Sequence, residues 1–240
     1  QASRLPGESA VPQASRLPET TGFNPHQEIR QTQRKNYPHW TQDECIYFVT
    51  FRLADSIPQT RIKEYQELRE KWEAHHHPPY SEKERDRFNE LFSEQVNEWL
   101  DEGAGSCCLR DPEIWKAVAG TLLHFDGERY ELDEWVIMPN HVHLLVRPLD
   151  GNDLATILHS WKSFSAHAIN TALKQTGPVW QRESYDHIVR TMEELVRIRK
   201  YIQQNPEKAG IQVSHAGSRR DACGTKPAVP QASRLPGESA

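Results

Sequence analysis

Residues 135–148 read Trp135-Val-Ile-Met-Pro-Asn-His141-Val-His143-Leu-Leu-Val-Arg147-Pro148, and the rest of the chain is organised around them. Pro139-Asn140 divides two apolar runs of strand length, residues 130–138 and 141–147, which predicts two strands joined by a tight turn. Along a strand, residues i and i+2 share a face. His141 and His143 are therefore expected to project together, with Val142 packed on the opposite side. Two neutral imidazoles at that spacing suit a divalent metal. The plainer alternative is a strand that carries two histidines satisfied by hydrogen bonds.

Upstream, residues 45–52 (CIYFVTFR) form a β-branched and aromatic run of strand length. Ile62, Tyr65, Leu68 and Trp72 recur near helical spacing within residues 59–74. Ser81 and Glu84 make a capping box ahead of a helix over residues 81–100, whose stripe is Phe88, Leu91, Phe92, Val96, Trp99 and Leu100. The loop HHHPPY (75–80) separates these helices into a hairpin, and His75, His76 and His77 read as a solvated loop. A further helix is expected over 112–123. Downstream come a helix over 153–173, a strand over 185–190 and a helix over 192–204 opened by Thr191 and Glu194, with Gly210 beyond its end. With the hairpin set aside, the order is β-α-β-β-α-β plus one helix. That predicts an α+β fold with a ferredoxin-like antiparallel sheet, the split βαβ pattern, and an inserted helical hairpin at 57–111.

The last helix supplies the second chemical element. At about 100° per residue, Leu195, Ile198 and Ile202 share an apolar arc, with Tyr201 on its margin and Asn205 one turn further. Pro206 disfavours helical geometry at Asn205, which is expected to be the last helical residue or just outside. Tyr201 is flanked by Arg197, Arg199 and Lys200. A phenol with a pKa near 10 is a poor nucleophile unless activated. A metal held by the histidines could polarise a phosphodiester oxygen, so that the phenolate attacks in line and leaves a 5′-phosphotyrosine and a free 3′-hydroxyl. Tyr185, beside Asp186 and His187, is the rival nucleophile and reads as part of an edge strand. Trp161 and Phe164 are expected in the core.

The chain has 240 residues and a net charge of −5, with 16 prolines and 12 glycines; its mean hydropathy is −0.79. It has no apolar run long enough for a membrane span and no charged-then-apolar leader. Cys45, Cys107, Cys108 and Cys223 lack C-x-x-C spacing, which fits a reducing cytoplasm and argues against a zinc ribbon or a disulfide scaffold. The charge is uneven. Residues 63–113 hold seven Lys and Arg against fourteen Asp and Glu, whereas residues 156–211 hold eight against five. The half carrying Tyr201 is thus mildly basic, as phosphate binding requires. Candidate DNA contacts are Lys162, Arg182, Arg190, Arg197, Arg199, Lys200 and Lys208. The acidic hairpin reads as a solvated face.

Residues 1–12 read QASRLPGESAVP, QASRLP restarts at 13–18, and 228–240 repeat the unit in register. Its two prolines, glycine and scarce large apolar residues predict disordered tails. A 12-residue unit on both sides of an unrelated core also reads as a repeated DNA element translated in frame. The chain opens on Gln1 rather than Met, which leaves the true start open. The expected organisation is a low-complexity tail and lead-in at 1–39, one domain at 40–212, and a repeat tail at 213–240.

With these residues in view, the chain resembles the REP-associated tyrosine transposases, a single-tyrosine HUH class of the IS200-like family. The resemblance is carried by YFVTFRLADS (47–56), WVIMPNHVHLLVRP (135–148), SWKSFSAHAIN (160–170), VWQRESYDHIVR (179–190) and YIQQNPEKAG (201–210). It implies a ferredoxin-like nuclease with Mg2+ or Mn2+ at His141 and His143, completed by Asn205, and with Tyr201 as nucleophile. The implied substrate is single-stranded DNA folded into hairpins, often repeated palindromes, and the implied state is a monomer or homodimer without a membrane. Two alternatives stand beside it. One is a non-catalytic hairpin-binding protein. The other is a metallohydrolase using metal-bound water, which would need a carboxylate base that the His-x-His strand itself does not carry.

Overall fold

The computed structural model describes residues 20–33, 38–77, 80–88, 91–92, 95–208 and 216–217. Both sets of terminal repeats, Gly210 and Cys223 lie outside these residues. Near the N-terminus, β1 (Arg30–Gln33) and β2 (Pro38–Thr41) form a separate antiparallel hairpin. The main sheet contains β3 (Tyr47–Arg52), β4 (Tyr130–Ile137), β5 (His141–Pro148) and β6 (Tyr185–Ile188). They lie in the order β6-β3-β5-β4, every pair antiparallel, with the two-residue β7 (Ala216–Gly217) outside β4. This is the expected ferredoxin-like arrangement.

The β3-to-β4 connection carries α1 (Gln59–Glu73), α2 (Glu82–Phe88), α3 (Gln95–Asp101) and α4 (Pro112–Leu123). Of these, α4 packs on the sheet as the crossover helix, and α1 to α3 form the insertion. Asp111 starts α4 by accepting hydrogen bonds from the N–H groups of Glu113 and Ile114, with Pro112 at the first helical position. α5 (Leu154–Leu173) is capped by Asp153, and α6 (Met192–Lys208) follows β6. Among the described residues no helix is long and apolar enough to cross a membrane.

The sheet has two covered faces. On one, α4 and α5 bury Ile114, Val118, Leu122, Leu158 and Trp161 against Val49, Phe51, Leu144 and Val146. Trp161 donates its indole N–H to the Tyr130 hydroxyl at 2.8 Å, which in turn donates to the Leu122 carbonyl at 2.8 Å. On the other face, Leu195, Ile198 and Ile202 of α6 cover Phe48, Val136 and Leu145. That second face also presents His141 and His143.

Several expectations change. The helix expected over 81–100 is two helices with a π-type turn at Leu91–Phe92 between them. Such a turn rotates one segment relative to the next; the stripe stays buried, against Ile57 and Tyr65. The Ser81–Glu84 box forms as expected. Trp161 is buried, but Phe164 is 56% exposed. The inward seat goes instead to Ser165, which accepts from the Trp180 indole at 2.8 Å and donates to the Trp161 carbonyl at 2.6 Å. α6 continues through Pro206, so Asn205 stays helical. The lead-in also packs on the domain: Ile46 N–H donates to the Thr21 carbonyl at 2.9 Å, and Thr21 Oγ1 donates to the Arg190 carbonyl at 3.2 Å.

Candidate catalytic and metal site

His141 opens β5 and His143 follows two residues later, both fully buried on the α6 face. The register sets His143 between Thr50 of β3 and Val136 of β4. Their Nε2 atoms face each other at 2.9 Å. The Nδ1 atoms are held from behind, His141 by Asn140 Oδ1 at 2.7 Å and His143 by Thr50 Oγ1 at 2.7 Å. One tautomer follows from this network. Asn140 Nδ2 donates to the Ala104 carbonyl at 2.9 Å, which fixes the amide so that its oxygen faces His141. His141 Nδ1 must then carry the proton, and its Nε2 presents a lone pair. The Thr50 hydroxyl can donate or accept, so His143 is free to present either Nε2–H or a lone pair. Burial, and the neighbouring His143, hold the His141 pKa well below its ordinary value; burial alone pushes His143 down to about 3. Both rings are neutral, as ligands must be.

The insertion adds a carboxylate that sequence reading missed. Asp101, the last residue of α3, lies with Oδ1 at 3.9 Å from His141 Nε2. Potential ligand atoms of Asp101, His141 and His143 all fall within 4.8 Å of one another. Asp101 is forty residues from His141 in sequence and sits in what reads as a solvated acidic hairpin, so no local pattern pointed to it. Leu109 N–H, donating to the Pro139 carbonyl at 3.2 Å, shows the same segment lying against the β4–β5 turn.

From the other side, α6 delivers Tyr201 and Asn205. The Tyr201 hydroxyl is 3.3 Å from His143 Nε2, and its ring meets the His143 ring edge-on, with centroids 5.3 Å apart. Burial raises the phenol pKa, the Asp101 carboxylate raises it further, and the Asn205 side chain works the other way. The phenol is therefore protonated at neutral pH and needs help to act. Asn205 is fully buried, and neither of its amide atoms completes a hydrogen bond of ordinary geometry. The Asn205 amide oxygen is a competent ligand for a hard cation. The two imidazoles and the Asp101 carboxylate, with the Asn205 amide one turn from Tyr201, are a donor set that fits a divalent cation.

The candidate DNA contacts divide. Arg182, Arg197 and Lys200 are exposed. Arg197 makes a long 3.8 Å contact to Glu194. Arg199 is buried and ion-paired with Asp133, its Nε at 2.6 Å from Oδ2, so it locks α6 to β4. Lys162 Nζ is held by the Arg182 carbonyl at 2.8 Å and Ser184 Oγ at 3.2 Å, which ties it to the loop before β6. The Arg190 guanidinium lies over Phe23, 5.9 Å from the ring centroid. The Lys208 side chain lies outside the described residues. Tyr185 sits on edge strand β6 and packs against Phe48, 6.2 Å between centroids. His187 is bonded to Glu194 at 2.8 Å rather than to the histidine pair. His76 stacks on Trp72 at 3.7 Å, away from the site.

Comparison with known proteins bears on the same residues. A protein of unassigned function from Haemophilus influenzae is 32% identical over 97 aligned positions, which cover 31% of this chain and 53% of that one. The chain thus spans about half the length of this curated relative. A solved structure of a REP-associated tyrosine transposase bound to a REP hairpin aligns over 84% of this chain and 99% of that one, at 16% identity and a TM-score of 0.40. At that level of likeness nothing about activity transfers. Residues 121–205 match the model of the family described as IS200-like transposases. His141, His143, Tyr201 and Asn205 fall within that match, and Asp101 falls outside it. The likeness to IS200-like transposases thus covers residues 121–205 of this chain.

Proposed function

We propose that this protein is a metal-dependent single-stranded DNA nuclease and strand transferase, acting at hairpin-forming repeats in DNA transposition or repeat processing. The observation that carries the reading is the Tyr201 hydroxyl, 3.3 Å from His143 Nε2 at the edge of the buried histidine pair. His141, His143 and Asn205 would hold Mg2+ or Mn2+, which supplies charge to offset the phosphodiester oxygens and to favour the phenolate. Asn140 and Thr50 orient the two imidazoles, as outer partners of metal ligands commonly do. The α6 helix aims the Tyr201 oxygen, and the apolar cover of Leu195, Ile198 and Ile202 limits water on that side. In the transfer step the Tyr201 phenol releases its proton to solvent, its oxygen forms a bond to phosphorus and the P–O3′ bond breaks. The oxygen of the 3′ side leaves and takes up a proton. The phosphotyrosine bond keeps the energy of the broken link, so attack by a 3′-hydroxyl reverses it. Arg182, Arg197 and Lys200 are exposed and, with Arg190 and Lys208, are candidates for backbone contact.

The test is a labelled single-stranded hairpin from the flanking DNA, incubated with Mg2+ and run on a denaturing gel. A covalent protein–DNA band that disappears in Tyr201→Phe supports the reading. A band lost in Tyr185→Phe instead would move the nucleophile. Binding without cleavage under any metal would favour a hairpin-binding protein. One observation favours a second reading: Asp101 is the carboxylate that a His-pair metallohydrolase needs. Cleavage that persists in Tyr201→Phe without an adduct would establish it.

A further inference from the structure

We infer that the insertion supplies the anionic ligand of the metal site through Asp101, so that metal binding and docking of the insertion are one linked equilibrium. The inference rests on the histidine-pair reading above and deepens it. His141, His143 and Asn205 are three neutral donors. Hard divalent cations such as Mg2+ and Mn2+ favour carboxylate oxygen, and Asp101 is the carboxylate whose ligand atom clusters with both histidines among the described residues.

Two further observations separate this from a chance approach. First, the tautomer argument leaves a lone pair on His141 Nε2, 3.9 Å from the Asp101 carboxylate oxygen. No proton on that nitrogen can bridge the two, whereas a cation between them would be ligated by both. Second, the segment after Asp101 is fastened in place by backbone contacts. The Ala104 carbonyl accepts from Asn140, the residue that also orients His141. Gly105 has φ +89°, and a Cβ there would lie 2.6 Å from the Asp55 carbonyl oxygen, so only glycine permits the approach. Ser106 N–H donates to Asp55 Oδ2 at 2.7 Å. Asp55 follows β3 and Asn140 precedes β5, so the loop is pinned to the strand that carries the histidines and to its neighbour β3.

A ligand bound only by the docked form stabilises that form. A cation that spans α3 and β5 must therefore hold the insertion against the sheet. Conversely, loosening the insertion must weaken the metal. The acidic hairpin then acts on the site as well as on the solvent.

The experiment uses the full chain and Mn2+ alone. Affinity is read from free Mn2+ by electron paramagnetic resonance, and docking from hydrogen exchange of residues 95–106 with and without Mn2+. Asp101→Asn is expected to weaken Mn2+ by at least roughly tenfold and to abolish the metal-induced protection. Asp101→Glu should restore part of both, and Glu102→Gln, whose carboxylate pairs with Arg61, should change neither. Near-wild-type Mn2+ affinity in Asp101→Asn, or protection that persists without the carboxylate, overturns the inference. His143→Ala keeps the two levels apart. If it abolishes binding while Asp101→Asn does not, the histidine metal site stands and the role of Asp101 falls. If neither variant affects binding, both fall.

Discussion

Replacing Asn140 with alanine tests the tautomer argument on which the site depends. The Asn140 side chain is fully buried and makes two hydrogen bonds, to the Ala104 carbonyl at 2.9 Å and from His141 Nδ1 at 2.7 Å. Alanine removes both partners at once and leaves one donor and one acceptor orphaned. Each costs about 1–3 kcal/mol when buried. His141 is out of reach of solvent, so its share falls at the upper end; Ala104 is only half-buried, so water can offset part of its share. The expected loss is about 3–5 kcal/mol, a large part of the ~5–15 kcal/mol by which a domain is stable. Urea unfolding followed by tryptophan fluorescence, with chelator present, measures it directly. With a slope near 2 kcal/mol/M, the midpoint should fall by roughly 1.5–2.5 M. A loss below about 1 kcal/mol at unchanged slope would refute the reasoning. It would mean that His141 is not locked by this amide, and the lone pair assigned to its Nε2 would lose its basis.

Other expectations concern packing and pH. Trp161→Ala should cost about 3–5 kcal/mol by calorimetry or urea unfolding, whereas Phe164→Ala should stay within about 0.5 kcal/mol, because Trp161 is 2% exposed and Phe164 56%. Arg199→Met should destabilise by about 1–3 kcal/mol by stranding Asp133, yet leave the yield of covalent DNA adduct per folded molecule unchanged; a selective loss of adduct would make Arg199 a DNA contact after all. Burial works to raise the Glu194 pKa, but the His187 hydrogen bond and charge, with the Arg190 N–H, outweigh it and hold it below the ordinary 4.5. A carboxylate depressed by folding contributes stability above its unfolded pKa and loses it as pH falls through the folded value. Stability should therefore fall below the ordinary 4.5, and Glu194→Gln should flatten that part of the profile in urea titrations.

The sheet and its main helices were legible because their signals are local. The Pro139-Asn140 turn, the apolar runs beside it and the Thr191 cap each lie within a few residues of the element they define. Tyr201, Asn205 and the histidine pair were legible for the same reason, since strand and helix periods put each pair on one face. Asp101 was not, because its place beside the histidines depends on where a three-helix insertion lands, which no spacing encodes. The protein partners of Arg199 and Lys162 were not legible, because a charge pattern shows the sign of a side chain but not its partner. The β1–β2 hairpin was missed because RQTQ and PHWT carry little of the apolar alternation that marks a strand.

That hairpin has a consequence for aggregation. β6 is the last strand on its side of the sheet, and an unguarded edge is a template for pairing with another chain. Here His39 of β2 bonds to Asp186 of β6, while Thr21 and Ile46 bind the backbone that leads out of it. A protein trimmed to begin at residue 40 would keep every proposed site residue and lose this guard. It would be expected to self-associate through β6, and the failure would look like poor solubility rather than lost chemistry.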